Sequence, residues 1–385
     1  MDKAREILKK NTMIFALIIV TIFFAWQTGG TLLVPQNVTN LIAQNGYVVI
    51  LATGMLLCIL TGGNIDLSIG SVVALIGALA GTLIVNEKMN MWLAILICLA
   101  VGIVIGVIHG YWIAYLRIPA FIVTLAGMLL WRGVALMILG GLTVSPFPNK
   151  YLNLFNSYVP DIFGGSINIL SIVIGILICV IYAAVQMVSR INKKKKGYQQ
   201  ESFLSFIIRM VIICAVIIAL AYSLANHKGI PTILILLAVI VFIYAYFTTR
   251  TVPGRYLYAM GGNEKAAKLS GINTNKVLFF AYVNMAFLSA VAALVCVARF
   301  NSAAPTAGQN YELDAIGACY IGGASAYGGI GKVTGVVIGA IFMGVLNNGM
   351  SIMGVDNNMQ KVVKGAVLLA AVTFDVLSKK RGKIA

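Results

Sequence analysis

The sequence is dominated by apolar runs, each approaching the thickness of a bilayer and separated from the next by a short polar segment. A helix of about 20 apolar residues spans the hydrocarbon core of a membrane. With 60% hydrophobic and only 10% charged residues, a soluble fold could not cover its surface with polar groups. We therefore predict an all-α fold, a polytopic transmembrane helical bundle of about 10–12 spans, some broken or re-entrant. The runs are Met13–Trp26, Tyr47–Leu60, Ile69–Val85, Ile95–Tyr115, Phe121–Leu139, Ile167–Val188, Ile207–Leu224, Ile233–Phe247, Val277–Val297, Tyr311–Gly322, Val333–Ile352 and Val362–Leu377.

The formal net charge of +17 is carried mainly by the loops and tails, as in the run Lys193–Lys196. The positive-inside rule explains this placement better than phosphate binding does, so no nucleic-acid partner is predicted. The same rule assigns the basic loops and both termini to the cytoplasm and residues 35–40 to an external connection. The basic start of the chain resembles a signal peptide, but residues 27–31 offer no small-residue cleavage pattern. We predict a retained first helix there.

Motifs for catalysis fail on inspection. The chain has only two histidines, His109 and His227, which excludes a zinc-binding HExxH motif. Gly331-Lys332 resembles part of a phosphate-binding loop, but Val333 stands where Ser or Thr is required. The six cysteines are dispersed through apolar runs without a CxxC pair, which is typical of small buried side chains. The sequence predicts a non-catalytic chain with no cofactor and no metal site.

The segment 250–276 is the one polar stretch of its size between apolar runs. Asn263 is a plausible N-cap for a short helix ending at Leu269, and Gly271 is suited to the position just beyond its C-terminus. Glu264 complements the positive N-terminal end of such a helix. From the residues alone, the segment is either a surface that docks on another protein or an ordinary basic loop that sets topology.

Two glycine-rich breaks interrupt the helical pattern, one in each of two loosely repeated halves at 1–165 and 229–385. The first is Gly62-Gly63, and the second begins at Gly322-Gly323 and continues to Gly331. Interrupted segments at corresponding places in two halves indicate a transport path, because non-helical backbone at membrane depth faces protein or a water-filled cavity. The alternative is a pair of tight turns at the membrane edge.

Polar residues near the apolar runs are the candidates for a substrate path. They are Asn64, Asp66, Ser68, Asn284, Asn347 and Asn348. Each side chain could instead satisfy a neighbouring helix, and Asp66 is a candidate N-cap for a helix starting at Leu67. Carboxylates at membrane depth suggest ion coupling by default, so Asp66, Glu312 and Asp314 also suggest a self-contained, proton-coupled secondary transporter of a small polar solute. Glu312 and Asp314 could equally begin a helix.

Five motifs together resemble the permease subunits of bacterial ATP-binding-cassette importers for monosaccharides. They are LTGGNIDLSIGSVVAL (60–75), RIPAFIVTLAGML (117–129), GGNEKAAKLSGIN (261–273), PTAGQNYELDAIGACYIGGAS (305–325) and GVLNNGMSIMGV (344–355). Each glycine-rich piece alone is a weak signal, but the set occurs in the family's order. The chain departs from the ribose-type members at 166–228, where a second pair of spans is inserted, and is in this respect similar to the longer multiple-monosaccharide permeases.

The resemblance implies a single transmembrane permease domain over 1–385, located in the bacterial inner membrane. It implies three partners in addition to the lipid bilayer: a separate ATPase subunit, an extracytoplasmic sugar-binding protein and a second permease copy in a homodimer. It also assigns 250–276 as a cytoplasmic coupling loop, within which residues 261–272 are the segment that docks into the ATPase. The coupling residues implied are Gly262, Asn263, Glu264, Ala266, Ala267, Ser270 and Gly271.

Overall fold

The structure is a computed structural model that describes residues 12–198 and 202–382. Over these ranges the chain forms fifteen α-helices and no strand, with only two isolated β-bridges. The helices are α1 (Thr12–Gln27), α2 (Pro35–Leu60), α3 (Ile69–Gly81), α4 (Met91–Ala114), α5 (Ala120–Leu139), α6 (Asn149–Phe155), α7 (Ile169–Lys195), α8 (Phe203–Ala225), α9 (Thr232–Arg250), α10 (Val252–Gly262), α11 (Glu264–Leu269), α12 (Thr274–Phe300), α13 (Tyr311–Ile321), α14 (Val333–Ile352) and α15 (Asn357–Gly382). The all-α prediction is confirmed.

Every predicted apolar run lies on a helix, and nine helical segments in the described part of the chain are long and apolar enough to cross a membrane. One of them is α3, which a π-helical segment, Thr82–Asn86, extends to 18 residues. The three remaining runs form α1, which has 16 residues, α13, which has 11, and α15, which is long but more polar. A 16-residue or 11-residue helix is shorter than a full bilayer span. These helices account for the difference between nine spans and the predicted 10–12.

The centre of the bundle is built from α2, α4 and α12, which pack closely because small residues face one another. A Cβ atom added at Gly102 would lie 2.6 Å from the Cβ of Ala290, and one added at Gly106 would lie 2.7 Å from the Cα of Val283. Glycine lets two helix backbones approach in a lipid environment, where dispersion contacts rather than hydrophobic burial hold helices together. Gly102 and Gly106 are therefore two positions at which α4 and α12 approach each other closely.

The inserted pair consists of α7 and α8, which lie at the periphery. Only 17% of the best membrane window of α7 and 6% of that of α8 is buried within the chain. The two helices contact each other where Gly175 approaches Ala221. Their outer ends meet, because the Asn168 N–H donates to the carbonyl of Ala225 at 3.0 Å. The pair is therefore a hairpin attached to the rest of the bundle at one side.

Residues 35–40, predicted to connect two spans, are instead the first turns of α2, which begins at Pro35. Proline suits a first helical position, where its missing N–H removes no hydrogen bond. The polar side chains are satisfied within the bundle: Thr39 donates to the Pro35 carbonyl at 2.9 Å, and Asn37 donates to the Asn348 carboxamide oxygen at 2.8 Å. A polar stretch at the start of a helix is predicted as a loop when its long-range hydrogen-bond partners are unknown.

A second correction concerns the first glycine break. The helix that follows it begins at Ile69 rather than Leu67, and Ser68 occupies its N-cap position without a capping side-chain bond. Asp66 is therefore not the N-cap. Its carboxylate instead accepts hydrogen bonds from the backbone N–H of Ser68 at 2.8 Å and from the Ser68 hydroxyl at 2.6 Å. This local turn competes with helix and delays the start of α3.

Candidate functional site

The segment 250–276, which we name the coupling segment for the role that the resemblance implies, contains the predicted short helix as α11, and α10 precedes it as a helix that the sequence did not predict. The Thr251 hydroxyl accepts from the Gly254 N–H at 3.1 Å and caps α10, and the Asn263 side chain accepts from the Ala266 N–H at 3.0 Å and caps α11. After α11, Gly271 adopts a left-handed φ of 84° and its N–H bonds to the Lys268 carbonyl at 3.1 Å. Both ends of α11 are closed by standard capping interactions, so the segment presents an ordered surface.

The exposed surface of α11 differs from the set of coupling residues that the resemblance implies. Ala266, Ser270 and Gly271 are exposed, but Ala267 is only 5% exposed and faces the chain itself. Leu269 is 90% exposed, the highest value of any large hydrophobic residue in the described part of the chain. Sequence reasoning missed Leu269, although an apolar residue in the last turn of an isolated polar helix was an available signal. A side chain of this kind is typical of a docking surface.

Arg117 connects α11 to the transmembrane helices. This residue lies in the loop between α4 and α5 and has a left-handed φ of 57°, a backbone conformation that is uncommon for residues other than glycine and asparagine. Its guanidinium group lies 2.7 Å from the carboxylate of Glu264 and donates to the Thr274 hydroxyl at 3.2 Å. It also donates to the side chain of Asn275. Arg117 therefore holds the start of α11 against the start of α12.

The two glycine breaks, predicted separately, contact each other. A Cβ atom added at Gly328 would lie 2.5 Å from the Cα of Gly62, and one added at Gly63 would lie 2.1 Å from the carbonyl oxygen of Ala326. The Gly329 N–H donates to the carbonyl of Leu60, the last residue of α2, at 3.1 Å. The halves of the chain thus meet through backbone atoms, at distances that only glycine permits.

The coupling segment joins the same contact. A Cβ atom added at Gly261 would lie 1.8 Å from the Leu60 carbonyl oxygen and 2.4 Å from the Gly329 nitrogen. A second attachment comes from Tyr258 in α10, whose hydroxyl donates to the Gly331 carbonyl at 3.0 Å. Burial raises the pKa of Tyr258, so its hydroxyl remains a donor at neutral pH. We call the set Gly62, Gly63, Gly261, Gly328 and Gly329 the glycine junction.

A polar cleft of about 410 Å³ opens beside the glycine junction. It lies between the coupling segment and the loop that carries Arg117. Its walls are formed by residues of the first glycine break, of the coupling segment and of the first turns of α5 and α12. Among these are Thr61, Gly62, Asn64, Arg117, Pro119, Gly262, Asn263, Glu264 and Leu278. Asn64, predicted as a substrate-path residue, contributes to this cleft and donates to the Thr61 hydroxyl at 3.2 Å.

Asp66 and Ser68 belong to a buried chain of polar groups that ties the first break to α4 and α5. The Ser68 hydroxyl lies 3.4 Å from His109 Nδ1, and the Trp131 indole N–H donates to His109 Nε2 at 2.9 Å. Because Nε2 accepts this bond, the neutral ring carries its proton on Nδ1, facing Ser68. Asp66, Ser68 and His109 are each no more than 1% exposed. Each of these polar side chains has a hydrogen-bond partner, which a buried polar group needs because it is shielded from water.

The hydrogen bonds of Asp66 predict unequal effects for two substitutions at this position. Asp66→Ala leaves the Ser68 N–H and hydroxyl without their acceptor in a dry interior, and we expect a loss of about 1–3 kcal/mol in the free energy of unfolding. Asp66→Asn keeps an acceptor oxygen and is expected to cost less. Thermal unfolding in detergent, compared between the two variants, measures the difference. Equal midpoints for Asp66→Ala and the unaltered protein would contradict the structural role of the carboxylate.

The other predicted path residues lie apart from one another. Asn284 accepts a hydrogen bond from the Tyr244 hydroxyl, and Asn348 exchanges hydrogen bonds with Asn37. Asn347 is half-buried, and its carboxamide oxygen has no partner within the described residues. The structure therefore brings Asp66 and Ser68 together, leaves Asn64 at the cleft and places the remaining asparagines between helices.

The predicted helix start at Glu312 and Asp314 is present, because both residues occupy the first turn of α13. The Asp314 carboxylate lies 3.0 Å from the Lys364 ammonium group of α15 and accepts a hydrogen bond from the Tyr47 hydroxyl at 3.1 Å. A buried carboxylate at this depth requires such partners. Within the described residues, no group of three or more His, Cys, Asp or Glu side chains is placed to hold a metal ion.

The architecture defines a multi-pass membrane permease: within the described residues it has nine helices long and apolar enough to span a membrane, two interrupted segments that meet, and an ordered segment joined to both. The sequence matches the family described as "Branched-chain amino acid transport system / permease component" over residues 37–372, and the chain belongs to that family. Its membership and its apolar helices assign it to the bacterial inner membrane as a multi-pass protein.

Similar proteins cover nearly the whole chain. The chain is 38% identical to the xylose transport system permease protein XylH of Escherichia coli (strain K12) over 369 residues, 96% of this chain and 92% of the relative. It is 36% identical to XylH of Haemophilus influenzae, with 96% of each chain covered. It is 35% identical to the ribose import permease protein RbsC of Escherichia coli (strain K12), over 88% of this chain and 85% of the relative. No solved structure matches the chain.

Proposed function

We propose that this chain forms the translocation path of an ATP-binding-cassette importer for a monosaccharide and is driven by a separate ATPase subunit. The observation that carries the proposal is the glycine junction, where an ordered, outward-facing segment contacts both interrupted halves of the bundle at once. The names of the relatives, a xylose transport permease and a ribose import permease, support a sugar as the transported solute. The chain itself is non-catalytic, and ATP is hydrolysed by the partner.

The proposed mechanism follows from the contacts of the coupling segment. The ATPase binds the surface of α11 around Ala266, Leu269 and Ser270, and its closure on ATP displaces α11. Arg117 transmits the displacement to α5 and α12, and Gly261 transmits it to both glycine breaks. The interrupted segments then move against each other, and the path opens alternately to the two sides of the membrane. Transport thus uses two states with different affinities for the sugar.

The proposal includes a second copy of this chain and an extracytoplasmic sugar-binding protein. The second copy is supported by the loop at 301–310, which is non-helical and leaves Thr306 and Gln309 exposed on the surface of a single chain. Irregular backbone within a membrane is covered by protein or borders a water-filled cavity. A homodimer in which this surface faces the corresponding surface of the partner meets that requirement.

The coupling residues keep their proposed roles, with one change of emphasis. Gly262, Asn263, Glu264, Ala266, Ser270 and Gly271 form the ends or the outer face of α11. Ala267 faces inward and seats α11 on the chain, so a charge there would disturb the seat as well as the docking. The substrate-path assignment of Asn64, Asp66, Ser68, Asn284, Asn347 and Asn348 remains a proposal of the same kind.

The proposal is tested by purifying the tagged protein gently from its native membrane and identifying what accompanies it. We expect a stoichiometric soluble subunit with a phosphate-binding loop, and ATP-dependent sugar uptake after reconstitution with that subunit and the sugar-binding protein. A protein that purifies alone and moves sugar in response to an imposed proton gradient without ATP would overturn the proposal. That result would favour a secondary transporter using Asp66, Glu312 or Asp314.

A further inference from the structure

A polar surface lies near the middle of the membrane-spanning part of the chain, apart from the glycine junction. It is formed by Arg132 on α5, by Thr306 and Gln309 in the loop before α13, and by Glu312 in the first turn of α13. We propose that this surface contacts the hydroxyl groups of the transported sugar. The proposal rests on the function proposed above and concerns four side chains that the substrate-path assignment above does not include.

The depth of the surface is measured as a distance along the axis of α3. Gly81 at one end of α3 approaches Ala303, and Gly70 near the other end approaches Gly308. The two glycines are eleven residues apart, which corresponds to about 16 Å along a helix. The loop between 303 and 308 therefore descends by about half the thickness of the hydrocarbon core. Helix α13 covers the remaining distance with only 11 residues.

Arg132 confirms this depth independently. It is the thirteenth of the 20 residues of α5, well inside an otherwise apolar span. One terminal nitrogen of its guanidinium group donates to the carbonyls of Pro305, at 3.1 Å, and Ala307. An arginine presents five N–H donors in a planar fork, and the donors of the other two nitrogens make no hydrogen bond to the described residues. They are available to a ligand.

Glu312 supplies acceptors close to these donors. A Cβ atom added at Gly70 would lie 2.1 Å from the Gly308 carbonyl oxygen and 2.6 Å from Glu312 Oε2, so glycine at this position lets the loop backbone and the carboxylate both approach α3. The half-buried Arg132 and Glu312 side chains carry opposite charges, and the attraction between them partly offsets the cost that burial imposes on each ionised form. The exposed Thr306 hydroxyl and Gln309 carboxamide add groups that both donate and accept.

Hydrocarbon cannot cover this surface, because unpaired polar groups and irregular backbone in lipid cost several kcal/mol each. In the homodimer proposed above, this surface faces the partner copy across the translocation path, where water or a polar solute reaches it. A sugar is a ring of hydroxyl groups that each donate and accept, and a neutral solute of that kind matches a charge-balanced set of donors and acceptors. The set has one fixed cation and one fixed anion and no excess charge to select an ionic substrate.

The first experiment measures sugar uptake by the reconstituted complex with single substitutions. We expect Gln309→Ala and Glu312→Gln to raise KM or lower uptake by about tenfold, because each removes hydrogen bonds to the sugar. Their ATPase subunit should still bind and hydrolyse ATP. Thr373→Ala, an exposed polar position on α15, is the matched control and should leave uptake unchanged. Failure of unaltered protein to import sugar would overturn the function proposed above, whereas normal KM and uptake in both variants would overturn only this inference.

A second experiment does not depend on transport. Gln309→Cys should react with a water-soluble, membrane-impermeant thiol reagent, and the transported sugar should slow the reaction. Leu177→Cys, whose parent side chain is 55% exposed on the lipid-facing α7, is the control and should stay unlabelled, because the thiolate does not form in hydrocarbon. The native cysteines give little background, since five of the six are buried. An unreactive Gln309→Cys, or one that sugar does not protect, would overturn the inference.

Discussion

Leu269→Asp is expected to abolish ATP-driven uptake while leaving the membrane bundle folded. Leu269 is 90% exposed at the end of α11, so it contributes almost nothing to the packing of this chain. An exposed apolar anchor on a docking surface commonly accounts for 2 kcal/mol or more of binding energy, which corresponds to a roughly thirtyfold weaker association. A buried charge at the interface adds a desolvation penalty to that loss. Binding of the ATPase subunit to the purified permease measures the effect directly.

The control for this substitution is Ile162→Asp. Ile162 is 77% exposed in the connection between α6 and α7, and it receives the same charge at a similar exposure. We expect it to bind the ATPase subunit normally. If Leu269→Asp also bound the ATPase normally and supported full uptake, α11 would not be the docking element, and segment 250–276 would serve only as a basic loop.

Gly261→Ala is expected to have the second large effect, on transmission rather than on docking. The added methyl group would lie 1.8 Å from the Leu60 carbonyl oxygen and 2.4 Å from the Gly329 nitrogen, and neither backbone atom belongs to a side chain that can rotate away. The coupling segment must therefore separate from one or both glycine breaks. We expect ATPase binding and ATP hydrolysis to persist while sugar uptake falls by at least about tenfold, because hydrolysis no longer moves the path.

Gly365→Ala provides the matched control, since an added Cβ at Gly365 meets nothing within 4 Å. This substitution in α15 should be neutral or slightly stabilising, because alanine favours helix over glycine by about 1 kcal/mol. Uptake by Gly261→Ala at the level of Gly365→Ala would show that the glycine junction does not transmit the motion. If uptake and ATPase binding were lost together, the defect would lie in the packing of α11 against the rest of the chain instead.

The elements that the sequence predicts well are those determined by neighbouring residues. The apolar runs predict the helices, and Asn263 and Gly271 predict the ends of α11, because capping depends on residues three or four positions apart. The contact between the two glycine breaks joins residues more than 250 positions apart, so local patterns indicate each break but not their meeting. The orientation of Ala267 and Leu269 depends on the same long-range packing.

Arg132 illustrates why part of the candidate site was not predicted. It lies within a run that reads as an ordinary span, and a single cation in 20 residues leaves the hydropathy high. Its significance appears only when the loop at 305–307 folds back beside it. Asp66 shows a different case, because the carboxylate expected to cap a helix or carry a proton accepts hydrogen bonds from Ser68, which in turn lies beside His109. The partners of Arg132 are distant in sequence, whereas the first partner of Asp66 is two residues away and only the extension to His109 is long-range.

The inserted hairpin of α7 and α8 leaves and rejoins the bundle at nearly one point, where Asn168 bonds to Ala225. A segment that crosses the bilayer twice returns to the side from which it started, so the parity of every later crossing is preserved. The orientation of the coupling segment is therefore independent of whether the hairpin exists. The hairpin thus adds lipid-facing surface to the protein without changing the side on which any other segment of the bundle lies.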